Sequence, residues 1–269
     1  QESQINFFDN NINTLNDEEK NLCEGMLTEY ECGIALKDMK NSKSPGSDGI
    51  TTEFYKFFWK DLKEILINSY NFAFKMKELS IDQKRGIITL SPKKDKDRQL
   101  IKNWRPITLL NNDYKILAKT LSFRIKKVIN EIINPDQTGY IKGRYIGENI
   151  LTVSNALDYL NSNNKQGIIL LIDFEKAFDS VSWDFIDKAL TKFNFGKDFK
   201  QWIYTLYSNT ESAVINNGHF SKFFKLGRGI RQGCPISVYL FLLCVRLMAV
   251  EIRQNDKIEG ISVGDDTQN

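Results

Sequence analysis

The chain has 269 residues, of which 41% are hydrophobic, and it carries a formal net charge of +3. That length and apolar content allow a sizeable core, and no run approaches the roughly eighteen apolar residues of a membrane-spanning helix. The N-terminus lacks the charged and apolar regions of a signal peptide. Four cysteines without C-x-x-C spacing and a single histidine argue against a zinc site or a disulfide framework and predict reducing, intracellular surroundings.

Positive charge is concentrated in one stretch, from Lys84 to Arg105. It holds eight basic residues against two acidic ones, Asp95 and Asp97, so the rest of the chain has a net charge of −3. Localised positive charge of this kind is typical of a surface that meets phosphate groups.

The predicted elements begin after a polar stretch at residues 1–27, which we interpret as a linker or peripheral extension. Thr28-Glu-Tyr-Glu31 has capping-box spacing and predicts a short helix. The turn-rich run Lys43-Ser-Pro-Gly-Ser-Asp-Gly49 then leads to apolar residues at near-helical spacing, which predict a long helix from about Thr52 to Lys75. We expect the aromatic residues of Phe54–Trp59 to lie in the core.

Two strands, Arg85–Ser91 and Trp104–Leu109, are predicted to form a hairpin with the charged tip Pro92–Arg98. An apolar stripe with steps of three or four residues predicts a helix over Asp113–Ile133. Ile150–Leu160 is predicted to form another helix.

The central prediction concerns Ile168–Ile172, five unbroken apolar residues after Gly167. Such a run predicts a strand buried on both faces, with Asp173 where the strand ends. A carboxylate there is costly to bury unless it is paired or holds a cation, although a helix cap is the simpler explanation for an isolated aspartate.

The last third of the chain contains two predicted helices, a hairpin and an apolar helix. The helices are Trp183–Phe193 and Phe199–Tyr207, and Asn217-Gly218 is a strong hairpin signal. His219 lies at that turn, and we assign it no chemistry. A glycine-rich loop then leads to the apolar helix Val238–Val250.

Several motifs, in order, resemble those of reverse transcriptases of LINE-type (non-LTR) retrotransposons. They are Lys43-Ser-Pro-Gly-Ser-Asp-Gly49, Lys93-Lys-Asp95 followed by Asn103-Trp-Arg-Pro-Ile107, the linker Pro135–Ile146, Asp173-Phe-Glu-Lys-Ala-Phe178, and Arg231-Gln-Gly-Cys-Pro-Ile-Ser237. The linker departs from the family pattern at Tyr140, where phenylalanine is usual. The resemblance covers the chain from about Lys43 onwards.

This resemblance implies an α/β (α+β) right-hand polymerase fold, with fingers, an incomplete antiparallel palm sheet backed by helices, and no thumb. The division it implies is an N-terminal extension at 1–42, fingers at 43–145 and a partial palm at 146–269. The implied activity is that of an RNA-directed DNA polymerase acting on an RNA template, a DNA primer and dNTPs. The parent polyprotein would add a thumb and an endonuclease, and would act in the nucleus and cytoplasm.

The resemblance also assigns the site residues. Asp173 and the backbone carbonyl of Phe174 hold Mg²⁺, with Mn²⁺ as an alternative ion. Lys93 and Arg105 grip the triphosphate, which suits a point charge and a two-pronged donor. Phe178 lies under the incoming sugar and rejects a 2′-hydroxyl. Gln232 and Gly233 line the floor beneath the templating base and the sugar.

The family's remaining catalytic acids belong to an F/Y-A-D-D hairpin that this sequence does not contain. Asp265-Asp266 follows Val263-Gly264 instead of an aromatic and a small residue, and we do not assign it that role. Because Asp173 alone cannot hold two ions, we expect these 269 residues by themselves to be inactive.

Two alternatives from other classes stay open. One is a non-catalytic, nucleic-acid-binding remnant that keeps the basic fingertip. The other uses Asp173 as the nucleophile of an α/β phosphohydrolase, although Glu175 stands where such enzymes have a second aspartate. Among related polymerases, Phe178 and the Lys43–Gly49 motif disfavour a group II intron protein or a viral RNA polymerase.

Overall fold

The structure is a computed structural model that describes residues 12–261. The helices are α1 (Asp17–Asn21), α2 (Glu29–Asp38), α3 (Thr52–Phe57), α4 (Trp59–Met76), α5 (Ile81–Lys84), α6 (Asn112–Ile132), α7 (Gly147–Ser162), α8 (Ala177–Ser180), α9 (Trp183–Lys192), α10 (Lys197–Tyr207) and α11 (Ser237–Arg253). The strands are β1 (Arg85–Pro92), β2 (Trp104–Leu110), β3 (Glu211–Asn216), β4 (His219–Phe220) and β5 (Phe224–Lys225).

Local capping signals set the starts of the first helices. The predicted capping box at α2 is confirmed: the Thr28 side chain accepts the Glu31 amide, and the Glu31 side chain accepts the Thr28 amide. The predicted long helix from Thr52 is interrupted at Phe58, which has φ −93° and ψ 18° and separates α3 from α4.

The sheet is mixed, with strand order β2-β1-β3-β4 and β5 also paired with β3. The predicted hairpin of β1 and β2 is confirmed as an antiparallel pair, and β1 and β3 run parallel. The hairpin at Asn217-Gly218 is confirmed as well, because both residues have the positive φ angles that a tight hairpin turn requires. The α/β fold class is therefore confirmed, but the expected antiparallel sheet is wrong.

The predicted buried strand at Ile168–Ile172 is wrong. These residues have no regular secondary structure and all are exposed, Ile168 by 92%. In the described part of the chain no strand lies beside them. A strand is stable only when its backbone groups pair with a neighbour, so apolar composition alone does not make one. Asp173 consequently lies in an irregular segment and not at the end of a strand.

The core is built around α6, whose inward face is fully buried from Tyr114 to Ile132. The described residues 12–27 also belong to this core, since Leu15, Cys23 and Leu27 are almost completely buried. For residues 12–27, the interpretation as a linker or peripheral extension is therefore wrong, and residues 1–11 lie outside the described part of the chain. The boundaries at 42/43 and 145/146 remain predictions.

A buried arginine attaches the N-terminal segment to the core. Arg124 of α6 forms a two-pronged ion pair with Glu31, with Nε–Oε1 at 2.8 Å and Nη2–Oε2 at 2.9 Å. Its remaining donors bond to the carbonyls of Cys23, Gly25 and Met26. We call Arg124 and the residues 23–31 that it binds the N-terminal clasp.

The aromatic cluster at residues 54–59 is only partly in the core. Tyr55 is buried and Trp59 packs against the core, but Phe57 is 81% exposed. The expectation of a wholly buried cluster is wrong, because the rings of Phe54, Phe57 and Phe58 are exposed. Within residues 12–261, no helix combines the length and apolarity that a bilayer crossing demands.

Candidate active site

Two segments that the sequence singled out are joined by hydrogen bonds. The A segment (residues 173–183) contains α8, and the B loop (residues 227–236) precedes α11. The Ile230 amide donates to the Phe178 carbonyl at 2.8 Å, and the Gly229 amide donates to the Val181 carbonyl at 2.8 Å. The Trp183 indole Nε1 donates to the Gly229 carbonyl, also at 2.8 Å.

The ring of Phe178 is supported by the helix that follows the B loop. It stacks on Phe241 of α11, with 5.2 Å between ring centroids and 27° between planes. Phe174 meets the same ring edge-on at 6.1 Å. Offset stacking and edge-to-face contacts of this kind are favourable. Phe241 therefore fixes both aromatic residues that follow Asp173.

The B loop is in turn docked on strand β2. The Thr108 amide donates to the Gln232 carbonyl at 3.0 Å. Gly233 has φ +112°, and a Cβ atom at this position would lie 2.7 Å from the Thr108 carbonyl oxygen. Only glycine permits both the backbone angle and this approach. Gln232 and Gly233 thus lie against the strand that also carries Arg105.

A cavity of about 310 Å³ lies between the sheet and the B loop. Its lining includes Pro106 and Thr108 from β2, Asp179 from the A segment, and Arg228 and Gln232 from the B loop. Burial raises the pKa of the Asp179 carboxyl, against the opposing charge of Lys176. The cavity brings residues of three motifs to one space.

Arg231 also lines this cavity and is almost completely buried. One of its Nη atoms donates to the Lys84 carbonyl, and its guanidinium lies 5.3 Å from the centre of the Tyr114 ring. Among the described residues its Nε and other Nη atoms have no hydrogen-bond partner. Its positive charge is therefore stabilised mainly by the Tyr114 ring and the Lys84 carbonyl.

The two predicted triphosphate ligands lie on the β1–β2 hairpin. Arg105 is exposed and faces Ser91 across the ladder, and the backbone amide of Lys93 donates to the Asn103 carbonyl at 2.8 Å. The Trp104 indole holds the hairpin tip by donating to the Arg98 carbonyl at 2.9 Å. Neither side chain has a hydrogen-bond or ion-pair partner within residues 12–261; Arg105 is exposed and Lys93 is partly exposed.

Asp173 is exposed, and within the described residues its carboxylate has no hydrogen-bond or ion-pair partner. Its oxygens and the Phe174 carbonyl are the hard ligands that Mg²⁺ prefers, so the donor chemistry fits that ion. No group of three or more His, Cys, Asp or Glu side chains suited to a metal occurs in the part of the chain that the structure describes. Asp265-Asp266 lies outside that part.

The structure thus brings Phe174, Phe178, Gln232 and Gly233 into one hydrogen-bonded and stacked unit on β2. It does not connect Asp173, Lys93 or Arg105 to that unit by a direct side-chain contact among the described residues. Reasoning from the sequence missed Trp183, Gly229 and Phe241. Gly229 has a signal, as the second glycine of Gly227-Arg-Gly229, whereas the other two depend on tertiary packing.

A model of the family described as reverse transcriptase (RNA-dependent DNA polymerase) matches residues 91–266. The chain belongs to this family, whose members are nucleotidyltransferases and generally use divalent metal ions. This membership disfavours the phosphohydrolase alternative.

The relatives are polyproteins of non-LTR retrotransposons, which confirms the resemblance drawn from the motifs. The chain is 38% identical over 231 residues to the transposon TX1 uncharacterized 149 kDa protein of Xenopus laevis, covering 86% of this chain and 18% of that protein. It is 29% identical over 154 residues to a retrovirus-related Pol polyprotein from the type-1 retrotransposable element R2 of Popillia japonica, covering 57% and 21%. It is 24% identical over 229 residues to a probable RNA-directed DNA polymerase from transposon X-element of Drosophila melanogaster, covering 81% and 24%. The chain therefore spans a quarter or less of these relatives.

Proposed function

We propose that the chain forms the fingers and part of the palm of an RNA-directed DNA polymerase within a longer retrotransposon polyprotein. It would extend a DNA primer with dNTPs along an RNA template, in the nucleus and cytoplasm. A thumb and an endonuclease would be further parts of that polyprotein. The observation that carries the proposal is the unit in which Phe178 is hydrogen-bonded to the B loop and the B loop is docked on β2.

Each residue of the site would act on a different part of the substrate. Lys93 and Arg105, whose side chains have no partners among the described residues, would bind the triphosphate from the hairpin. Closure of this basic tip over the nucleotide would exclude water. Phe178, fixed on Phe241, would contact the sugar and exclude a 2′-hydroxyl, with Gln232 and Gly233 beneath the base pair.

Asp173 and the Phe174 carbonyl would hold Mg²⁺, with Mn²⁺ as an alternative. When bound, the divalent ions lower the pKa of the primer 3′-hydroxyl and stabilise charge on the transferred phosphoryl group. One carboxylate is too few to fix two ions at the separation of about 3.5–4 Å that such sites use. We therefore propose that these 269 residues do not incorporate nucleotides by themselves and that a longer chain containing an F/Y-A-D-D hairpin does.

A primer-extension assay tests the proposal. It uses an RNA template, a labelled DNA primer, dNTPs and Mg²⁺, with the 269-residue chain and a longer chain compared side by side. We expect templated incorporation only from the longer chain. In it, Arg105→Ala should lower kcat/KM for dNTP by about 10- to 100-fold, the value of one or two charge-assisted hydrogen bonds. Incorporation by the short chain would overturn its proposed inactivity, and none by the longer chain would overturn the polymerase.

The second candidate is a nucleic-acid-binding remnant without catalysis. It is favoured by the exposed basic hairpin tip together with an Asp173 carboxylate that, among the described residues, belongs to no group of three or more possible metal ligands. Tight binding of the longer chain to primer–template, without metal-dependent incorporation, would support the remnant in place of the enzyme.

A further inference from the structure

We infer that Trp183 and Gly229 form a clamp that positions Phe178 against the B loop and thereby tunes selection of deoxynucleotides over ribonucleotides. The role in selection rests on the proposed function, whereas the clamp itself is a property of the fold. Trp183 is a positioning residue in this inference, because it acts through Phe178 and the B loop.

The first observation is that the indole donor closes a set of three hydrogen bonds. Two of them are backbone bonds, from Gly229 to Val181 and from Ile230 to Phe178. The third, from Trp183 Nε1 to the Gly229 carbonyl, is the only one of the three that a side-chain substitution can remove. Both polar groups of the Gly229 backbone are thus held by residues of the A segment.

The second observation is that glycine is required at position 229. Its φ is +90°, and a Cβ atom there would lie 3.1 Å from the Asp179 carbonyl oxygen and 3.2 Å from the Asp179 Cα. Any side chain would be strained in φ and would press on the backbone next to Phe178. The close approach of the two segments therefore depends on this residue.

The third observation is that Trp183 is also connected, through Tyr207, to the other end of the B loop. The Trp183 ring lies 6.1 Å from the Tyr207 ring, and the Tyr207 hydroxyl lies 3.3 Å from the Ser237 hydroxyl. Ser237 begins α11, the helix on which Phe178 stacks through Phe241. Trp183 thus contacts the Gly229 end of the loop directly and the α11 end through Tyr207.

These contacts relate the position of Phe178 to that of Gln232. Phe178 is hydrogen-bonded to Ile230, two residues before Gln232, and Gln232 is bonded to Thr108 of β2. Loosening the contact between Trp183 and Gly229 would let Phe178 move relative to Gln232, which stays bonded to β2. Displacements near 1 Å at a reacting geometry carry large kinetic effects, so sugar selection should respond.

Hydrogen exchange tests the clamp in the 269-residue chain, independently of any catalysis. Trp183→Phe removes the indole donor and keeps an aromatic ring beside Tyr207, and Trp183→His restores a ring N–H donor. The matched control is Trp59→Phe, which alters an indole in α4 that lies near Gly33, outside the A segment and the B loop. We expect Trp183→Phe to accelerate exchange of the Gly229 and Ile230 amides about 3- to 10-fold, the value of one neutral hydrogen bond, with the α6 amides unchanged. Unchanged exchange at Gly229 and Ile230 would overturn the clamp.

Nucleotide selection tests its consequence in the longer chain. The ratio of kcat/KM for dNTP to that for the matching rNTP should fall about 3- to 10-fold in Trp183→Phe, recover in part in Trp183→His, and stay constant in Trp59→Phe. If Trp183 had a purely structural role, its replacement would lower kcat/KM equally for dNTP and rNTP and leave their ratio unchanged. Faster exchange with an unchanged ratio would overturn the role in selection while the polymerase stands. Absence of incorporation even without substitutions would overturn the proposed function and the selection role together, and exchange would still decide whether the clamp exists.

Discussion

Replacing Arg124 by methionine should be among the most destabilising single changes in the chain. Arg124 is 3% exposed, and it binds both oxygens of Glu31 and the carbonyls of Cys23, Gly25 and Met26. Methionine fills much of the same volume but donates no hydrogen bond. The substitution therefore leaves a half-buried carboxylate and three carbonyls without their charged donor.

The magnitude follows from the burial of the pair. Removing one partner of a buried ion pair costs about 3–5 kcal/mol, because the remaining charge is uncompensated. The exposure of the Glu31 side chain, 24% against 4% for Arg124, lets water recover part of that loss. We expect the free energy of unfolding to fall by roughly 3–4 kcal/mol. Glu31→Gln is milder and should cost about 1.5–3 kcal/mol, the value of hydrogen bonds to a charged group.

Urea denaturation followed by circular dichroism measures the effect. The matched control is Lys127→Met, which removes an exposed cation from the same helix and should change stability by less than about 0.5 kcal/mol. The double variant with Glu31→Gln should be destabilised by less than the sum of the single changes, because both remove one interaction. A loss within about 1 kcal/mol for Arg124→Met would refute the clasp as a stabilising element.

Three further outcomes are expected. Burial pushes the pKa of the Glu31 carboxyl upward, but the hydrogen bonds and charge of Arg124 outweigh it and hold the pKa below the ordinary 4.5. The clasp should therefore stabilise the fold fully above pH 4.5 and less as the pH falls through the lower pKa that Glu31 has in the folded protein. The difference in the free energy of unfolding between the wild type and Glu31→Gln should therefore shrink in acid. A difference that does not change with pH would contradict this. Gly46→Ala places Cβ 2.0 Å from Asn111 Oδ1 and 2.4 Å from the Asn111 amide nitrogen, and should cost about 2 kcal/mol or more, whereas Gly227→Ala meets nothing within 4 Å and should be nearly neutral. Leu170→Ser should lower the melting temperature by no more than a degree or two, equivalent to about 0.5 kcal/mol, because Leu170 is 77% exposed; a loss of about 2–5 kcal/mol would mean that the run is buried.

The elements that could be predicted are those whose determinants are local. The capping box at Thr28, the stripe along α6 and the hairpin turn at Asn217-Gly218 each depend on neighbours a few residues away. The strand predicted for Ile168–Ile172 is wrong because a strand needs a neighbouring strand to pair with. The sequence of these five residues carries no information about where such a neighbour lies. The packing of residues 12–27 could not be predicted for a similar reason. These residues are attached to the core by Arg124, which is about a hundred residues away in the sequence.

The residues of the candidate site that belong to sequence motifs could be predicted, whereas those that act through tertiary packing could not. The motifs identified Phe178, Gln232 and Gly233, and their roles remain predictions although the structure joins them through the B loop. Trp183 and Phe241 could not be found this way, because the first acts through a hydrogen bond to Gly229 and the second through a ring contact.

The decisive measurement is single-turnover incorporation of one dNTP on an RNA template by the longer chain, with Asp173→Asn compared against Glu175→Gln. Both changes remove one acidic charge from the same exposed segment, so they differ only in whether the carboxylate assigned to the metal is lost. We predict that Asp173→Asn lowers the rate at least about 100-fold, as loss of metal-assisted charge stabilisation worth several kcal/mol requires, and that Glu175→Gln changes it less than about threefold. Equal rates for the two variants would contradict the assignment of Asp173 to nucleotide transfer.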